Sequence, residues 1–268
     1  MSARLRRVGA VVLRQLYLMR GSPARVIPLF AWVCVDMALW GFLTRYLGTL
    51  APAGRFAATL LGCVLLWDYF TRVMQGVTMA FFEDVWARNL LNFFASPLSV
   101  GDYLAGLLVT SAMTSGVGLI AMVAMASAGF GWTPGAAGVA LGPGLAVLFA
   151  FGIALGVVAA AMVLRLGPAA EWFVWPIPAM IAPFSGVFYP VAILPAWMRA
   201  VARALPPSYV FEVLRARATA SAPPAGGLAL GAALAAVDLA LAAAYFLASH
   251  RAVVRDGRLA RSAAETAG

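Results

Sequence analysis

Lysine is absent from this chain of 268 residues, histidine occurs once, cysteine twice, and charged residues amount to only 11%. So little charge cannot clothe a water-soluble domain of this length, which excludes a dispersed globular fold. The missing lysine carries no chemistry of its own. All 19 basic residues are arginine, a bias that fits a GC-rich bacterial genome. The sequence also lacks a G-x-x-x-x-G-K-[ST] phosphate loop, an H-E-x-x-H zinc helix and a G-x-S-x-G nucleophile elbow. His250, at the end of the last apolar stretch, reads as a headgroup-facing residue rather than a base or a ligand. Cys34 and Cys63 are too far apart in sequence for a metal pair, and their helical depths, about 12 Å from one membrane face and about 10 Å from the other, do not match for a disulfide. The expectation is a chain with no catalytic residue, no metal site and no cofactor of its own. Any work it does must draw on an ion gradient or on another subunit.

What the chain does contain is hydrophobic residue, 63% of it. Six apolar stretches stand out: Val26–Tyr46, Phe56–Thr78, Leu104–Ala128, Gly144–Leu164, Trp172–Val187 and Leu228–Leu247. A bilayer core of roughly 30 Å takes about 20 helical residues, and only internally hydrogen-bonded elements survive in it. The sequence therefore predicts an all-α integral membrane protein with six transmembrane helices. It forms one transmembrane domain: 1–25 an interface helix, 26–78 spans one and two, 79–102 a polar segment, 103–187 spans three to five, 188–227 external helices, 228–248 span six, and 249–268 a tail.

The net charge of +9 would suggest nucleic acid in a soluble protein, but its placement points to lipid instead. Six arginines, Arg4 to Arg25, precede the first stretch, and Arg251, Arg255, Arg258 and Arg261 follow the last. Arginine is retained on the cytoplasmic side, so both termini are expected there, in a bacterial plasma membrane. Arg199, Arg203, Arg215 and Arg217 run against this orientation, with Glu212 as their sole counter-charge nearby. A cleavable signal is not expected, because the first apolar run is long enough to stay as an anchor.

Residues 1–20 place Leu5, Val8, Val12, Leu16 and Met19 at helical spacing, with Arg7 and Arg14 off that stripe, as in a helix lying in the interface. Between the second and third stretches, Phe81, Phe82, Val85, Trp86, Leu90, Leu91 and Phe93 interleave with Glu83, Asp84, Arg88, Asn89 and Asn92 before Ser96-Pro97. This pattern predicts an amphipathic helix that either docks a partner or rests on headgroups. The fifth stretch carries Pro176, Pro178 and Pro183, defects tolerated at membrane depth only where protein or water satisfies the freed carbonyls. It should line an interface or a pathway, and 187–218 should form short external helices.

Asp36, Arg45, Asp68, Arg72 and Asp238 fall inside apolar stretches, where each would cost ~2.5–3.5 kcal/mol at a helix centre unless it faced protein or water. Asp68 and Arg72, four apart, are placed to neutralise each other or to contact substrate. Asp36 has no such partner on its own helix. Trp40 and Trp67 are either interfacial anchors and packing residues or contacts for an amphipathic cargo.

Two stretches carry a family resemblance. Phe82 to Gly106, with Arg88-Asn89-Leu90-Leu91, Ser96-Pro97-Leu98-Ser99 and Asp102-Tyr103, resembles the cytoplasmic segment between spans two and three of ABC-2 type transporter permeases. Pro183-Phe184-Ser185-Gly186-Val187-Phe188-Tyr189-Pro190, followed by Leu194-Pro195, Leu205-Pro206 and Tyr209 to Arg215, is similar to that family's fifth span and external helices. The resemblance implies a permease subunit paired with a second permease, as a homodimer, and with two ATP-binding-cassette subunits that use ATP and Mg. It would export an amphipathic drug, lipid, glycolipid or polysaccharide. It also implies that Phe81–Pro97 is the helix that couples to the ATPase, through Phe82, Glu83, Asp84, Trp86, Arg88, Asn89, Leu90, Leu91, Ser96 and Pro97. The substrate route would involve Asp36, Trp40, Trp67, Asp68, Arg72, Pro183, Phe184, Gly186, Phe188 and Tyr189. Where the family carries an acidic residue near Leu91, this chain has Asn92.

The alternatives are an ion-coupled secondary transporter, which calls for inverted repeats with matching broken helices, and a non-catalytic membrane scaffold. Pro28 near the start of the first stretch has no counterpart to the repeated breaks of the fifth, so the two halves do not match.

Overall fold

A computed structural model of the chain describes residues 3–50, 55–87, 89, 93, 96–136, 138–167, 170–219, 221–224 and 226–256. It is helical, with no strand among the described residues. The helices are α1 (Ala3–Arg20), α2 (Pro23–Leu50), α3 (Arg55–Trp86), α4 (Val100–Phe130), α5 (Leu141–Leu166), α6 (Glu171–Val174), α7 (Ile177–Ser185), α8 (Ala196–Ala204), α9 (Pro206–Ala218) and α10 (Gly227–Arg255). Four of them, α2, α4, α5 and α10, are long and apolar enough to cross a membrane. At 32 residues, α3 reaches about 48 Å and has the length as well.

Local chemistry sets the ends. Pro23 opens α2, at a position where its missing N–H is not needed. The Ser99 hydroxyl caps α4 by accepting from the Asp102 N–H at 3.1 Å. Gly131, at φ 68°, closes α4 in the left-handed region with its N–H on the Ser127 carbonyl. The turn expected at 51–54 and the tail beyond 256 lie outside the described residues.

The fifth apolar stretch departs from the continuous span that its composition suggests. It folds as two pieces of four and nine residues, α6 and α7, with Trp175-Pro176 between them, and Gly186 at φ 74° ends the second. Neither piece is long enough to cross a bilayer. Pro176, at the break, is the physical reason, since it brings no N–H to continue the ladder of α6; Pro178 falls in the first turn of α7, where none is needed, and Pro183 lies inside α7 without ending it. The short helices expected after residue 187 are present: a 3₁₀ turn at Val191–Ile193, then α8, then α9, which opens on Pro206-Pro207 after α8 has ended.

The axis of the bundle is α3, which runs alongside α5 in the same direction. A methyl group added at Gly152 would sit 3.0 Å from the Phe70 carbonyl oxygen and the Val73 side chain, and one at Gly156 would sit 2.9 Å from the Met74 carbonyl oxygen. These two glycines, four apart on one face of α5, let the helix backbones nearly touch. Phe70 and Phe151 stack at 5.5 Å beside them. On its other side α3 meets α4 in the opposite direction: the Ser111 hydroxyl donates to the Val73 carbonyl at 2.8 Å, and Gly118 admits the Arg72 side chain. α10 closes the bundle, with Phe246 edge-on to Phe81.

Because the obstacles facing Gly156 are the Met74 carbonyl oxygen and the stiff β-branched Val77 side chain, both at 2.9 Å, Gly156→Ala is expected to lower stability by about 2 kcal/mol through overpacking. Gly142→Ala on the same helix meets nothing within 4 Å and should leave stability nearly unchanged. Unfolding of the purified protein in a detergent series reads both.

Candidate functional site

At one end of the bundle a belt of ion pairs ties α1 to α3 and α4. Arg14 reaches Asp84 at 2.6 Å, and Tyr103 donates its hydroxyl to the other carboxylate oxygen of Asp84 at 2.8 Å. Asp84 has no exposed surface at all. Arg7 bonds Asp102 at 2.6 Å and Arg4 approaches the same carboxylate at 3.3 Å. Arg25, at the start of α2, reaches Glu83 at 3.2 Å. Phe93 lies under the Arg14 guanidinium at 4.9 Å and beside the Tyr103 ring at 5.4 Å, which keeps water from the pair. A buried carboxylate facing a half-buried guanidinium calls for its remaining valences to be filled: Tyr103 fills one on Asp84, while Arg14 Nη1 has no hydrogen-bond partner.

This belt changes the reading of α1 and of the polar segment. The interface helix does form, but it docks through Val11 and Gln15, both buried, while Leu5, Leu13 and Tyr17 remain exposed. Val11 seats against Gly106, where a methyl group would meet its side chain at 2.5 Å. Arg7 and Arg14, which lie off the apolar stripe, are the docking arms, while Val8, Val12, Leu16 and Met19 of the stripe are half-buried.

The segment from Phe81 does not begin a separate amphipathic helix, because α3 continues unbroken to Trp86. Phe81, Phe82 and Asp84 point into the bundle. Glu83 is half-buried and occupied by Arg25. Of the residues expected to meet a partner, Trp86 is 50% exposed, and Ser96 and Pro97 are exposed at a turn closed by the Ser96 hydroxyl on the Phe93 carbonyl at 2.6 Å. Asn89 is half-buried, with its N–H on the Asp84 carbonyl at 2.9 Å. Arg88, Leu90, Leu91 and Asn92 lie outside the described residues.

A second group runs along α2 and α3. Asp68 and Arg72 form the expected pair at 2.7 Å. Asp36, which had no partner on its own helix, lies across from them with its carboxyl against that of Asp68. One turn further along α2, Trp40 stacks on Phe188 at 5.2 Å. Trp67 packs among Phe70 and Phe211.

The turn after α7 is built around Gly186, whose carbonyl accepts from Arg215 at 2.8 Å. Glu212 accepts from both the Val191 N–H at 3.0 Å and Arg215 at 2.8 Å, and the Tyr189 hydroxyl donates to the Pro183 carbonyl at 2.9 Å. Phe184 packs on Trp197 of α8 at 6.0 Å. Arg215, one of the arginines that ran against the orientation expected from sequence, is thus neutralised in place and braces this turn.

The sites expected from sequence therefore fall into three places: the α1 belt, the Asp36 to Phe188 line, and the Gly186 turn. Sequence reading missed Tyr103 and the pairing of Arg7 and Arg14. The signal was present only as acidic residues on either side of the polar segment facing a basic leading helix. Cys34 and Cys63 are both free thiols. No family model and no curated protein matches the chain.

Asp84→Ala leaves the half-buried Arg14 without its counter-charge and the Tyr103 hydroxyl without its acceptor, and is expected to cost about 3 kcal/mol. Tyr103→Phe removes one hydrogen bond to the same carboxylate and should cost about 1.5 kcal/mol. A double-mutant cycle on Arg14 and Asp84, read by thermal unfolding in detergent, checks the coupling. Additive losses would show that the pair does not act as a unit.

Proposed function

We propose that this chain is the permease subunit of an ABC-2 type exporter, moving an amphipathic substrate outward with energy from ATP hydrolysed by separate partner subunits. Both termini would lie on the cytoplasmic side of a bacterial plasma membrane, and a second permease copy would complete the pathway. One observation carries the reading beyond the sequence resemblance. Asp84 and Asp102 root the polar segment at either side, and α1 grips both through Arg14 and Arg7. A segment clamped at both roots passes a push on Trp86, Ser96 and Pro97 into α3 and α4 together, as a lever must. The line of Asp36, Asp68, Arg72, Trp40 and Phe188 offers charge and aromatic faces to a cargo crossing beside α2 and α3.

The facing carboxyls of Asp36 and Asp68 favour a second reading, a carrier driven by an ion gradient, since intramembrane acids serve in proton relays. The two readings separate in vesicles: the first requires ATP and a partner, the second a gradient and neither.

Purified in mild detergent from its own cells, the wild-type chain should bring down an ATP-hydrolysing subunit. Trp86→Ala, which changes an exposed ring and no ion pair, should lose that subunit while the chain's thermal midpoint holds. Retention of the ATPase by Trp86→Ala, or transport by the chain alone without ATP, would overturn the proposal. Gly186→Val places a Cβ 2.9 Å from Val191 at a positive φ. It is expected to reduce export severalfold while membrane insertion, read by fractionation, stays intact.

A further inference from the structure

Between α1, α2, α3 and α4 lies a cavity of about 550 Å³, within the range of small-molecule sites. Its walls differ by level. Near the ion-pair belt it is lined by Gln15, Arg25 and Glu83, and deeper in by Arg72, with Met19, Met79 and Phe30 supplying apolar wall. Its rim is apolar: Phe30 is 42%, Met113 45% and Val117 52% exposed. Exposed apolar side chains on α2 and α4 at the mouth mean that the cavity opens sideways, toward the hydrocarbon that surrounds membrane helices, and not along the bundle axis.

Gln15 is the telling residue. It is 98% buried, it lines the cavity, and its side-chain amide Nε2 has no hydrogen-bond partner. A buried donor without an acceptor costs free energy that a ligand oxygen would relieve. The charged side chains of the lining are already paired, Arg25 with Glu83 and Arg72 with Asp68, so the Gln15 amide is what this wall offers to a ligand oxygen. Methionine walls adapt to a flexible chain better than branched residues do.

We infer that this cavity is a binding site for a phospholipid of the bilayer, whose phosphate oxygen accepts from Gln15 and whose acyl chain lies along the methionine wall between α2 and α4. The site is separate from the Trp86 surface, so its test does not depend on the permease reading. The required ligand chemistry is an acyl chain bearing an anionic acceptor, which a free fatty acid also has. The sideways mouth assigns the phospholipid, because that is what the surrounding bilayer presents.

The test is native mass spectrometry of the full-length chain in detergent with added phosphatidylglycerol or palmitate. Wild type should hold one phosphatidylglycerol in preference to palmitate. Gln15→Leu removes a donor that makes no bond within the chain, so its thermal midpoint should be unchanged while phosphatidylglycerol binding falls about tenfold, the loss of one hydrogen bond to a charged acceptor. Thr114→Trp, which fills the cavity from α4, should abolish the adduct. An adduct that survives both variants, the absence of any adduct on wild type, or palmitate held as firmly as phosphatidylglycerol would each overturn the inference.

Discussion

In hydrocarbon two helices gain little by hiding apolar side chains from each other, since the lipid tails are equally apolar. What holds them is how closely their backbones approach. In this chain that approach is made by Gly152 and Gly156 against the carbonyls of α3. The rest of the bundle is arranged around the contact. α3 lies between α5 on one side and α4 on the other, and it carries Asp68 and Arg72 beside the contact and Glu83 and Asp84 about two turns beyond it. A shift of α3 would misplace both sets of charges, so the seating of two glycines fixes the register of the ion pair beside the contact and of those about two turns beyond it.

Polar chemistry is sorted by depth. At the α1 end every carboxylate is engaged: Asp84 and Asp102 meet arginines at 2.6 Å, and Tyr103 donates to Asp84 as well, with Arg14 Nη1 the one donor of that pair left over. The central group of Asp36, Asp68 and Arg72 has two acids to one base and borders the aromatic stack of Trp40 on Phe188. Between the two levels, the cavity beside Gln15 and Arg25 opens sideways. A closed clamp next to groups with spare hydrogen-bonding capacity is the arrangement expected where one part of a molecule must stay rigid while another accepts a visitor.

Much of the helical pattern was legible in the sequence. The apolar runs at 26–46, 104–128, 144–164 and 228–247 all sit inside single helices, because twenty apolar residues leave the backbone no other way to satisfy itself. The interruption of the fifth stretch was legible as prolines, although its division into two short helices was not, since the effect of Pro176 depends on how Trp175 and Glu171 settle around it. The docking face of α1 was misread for a definite reason. Helical periodicity ranks positions by apolarity, and the strongest forces on this helix came from carboxylates 70 and 95 residues away. Asp84 was assigned to a surface for the same reason, as nothing local marks an acid that an arginine on another helix will cover. Asp68 with Arg72 was read correctly because both partners lie one turn apart on one helix.

The long reach of the α1 pairs bears on how the chain is put together as it leaves the ribosome. Arg7 and Arg14 are synthesised early, yet their partners follow 95 and 70 residues later, on α4 and in the last turn of α3. Until then the two arginines have neither of these carboxylates to meet. Its final attachment is a late event that waits for the fourth helix, and assembly of this end is correspondingly non-local and slow compared with the pairing of neighbouring helices. A chain halted before Asp102 would hold its first helix by Arg14 on Asp84 alone, with no carboxylate for Arg7.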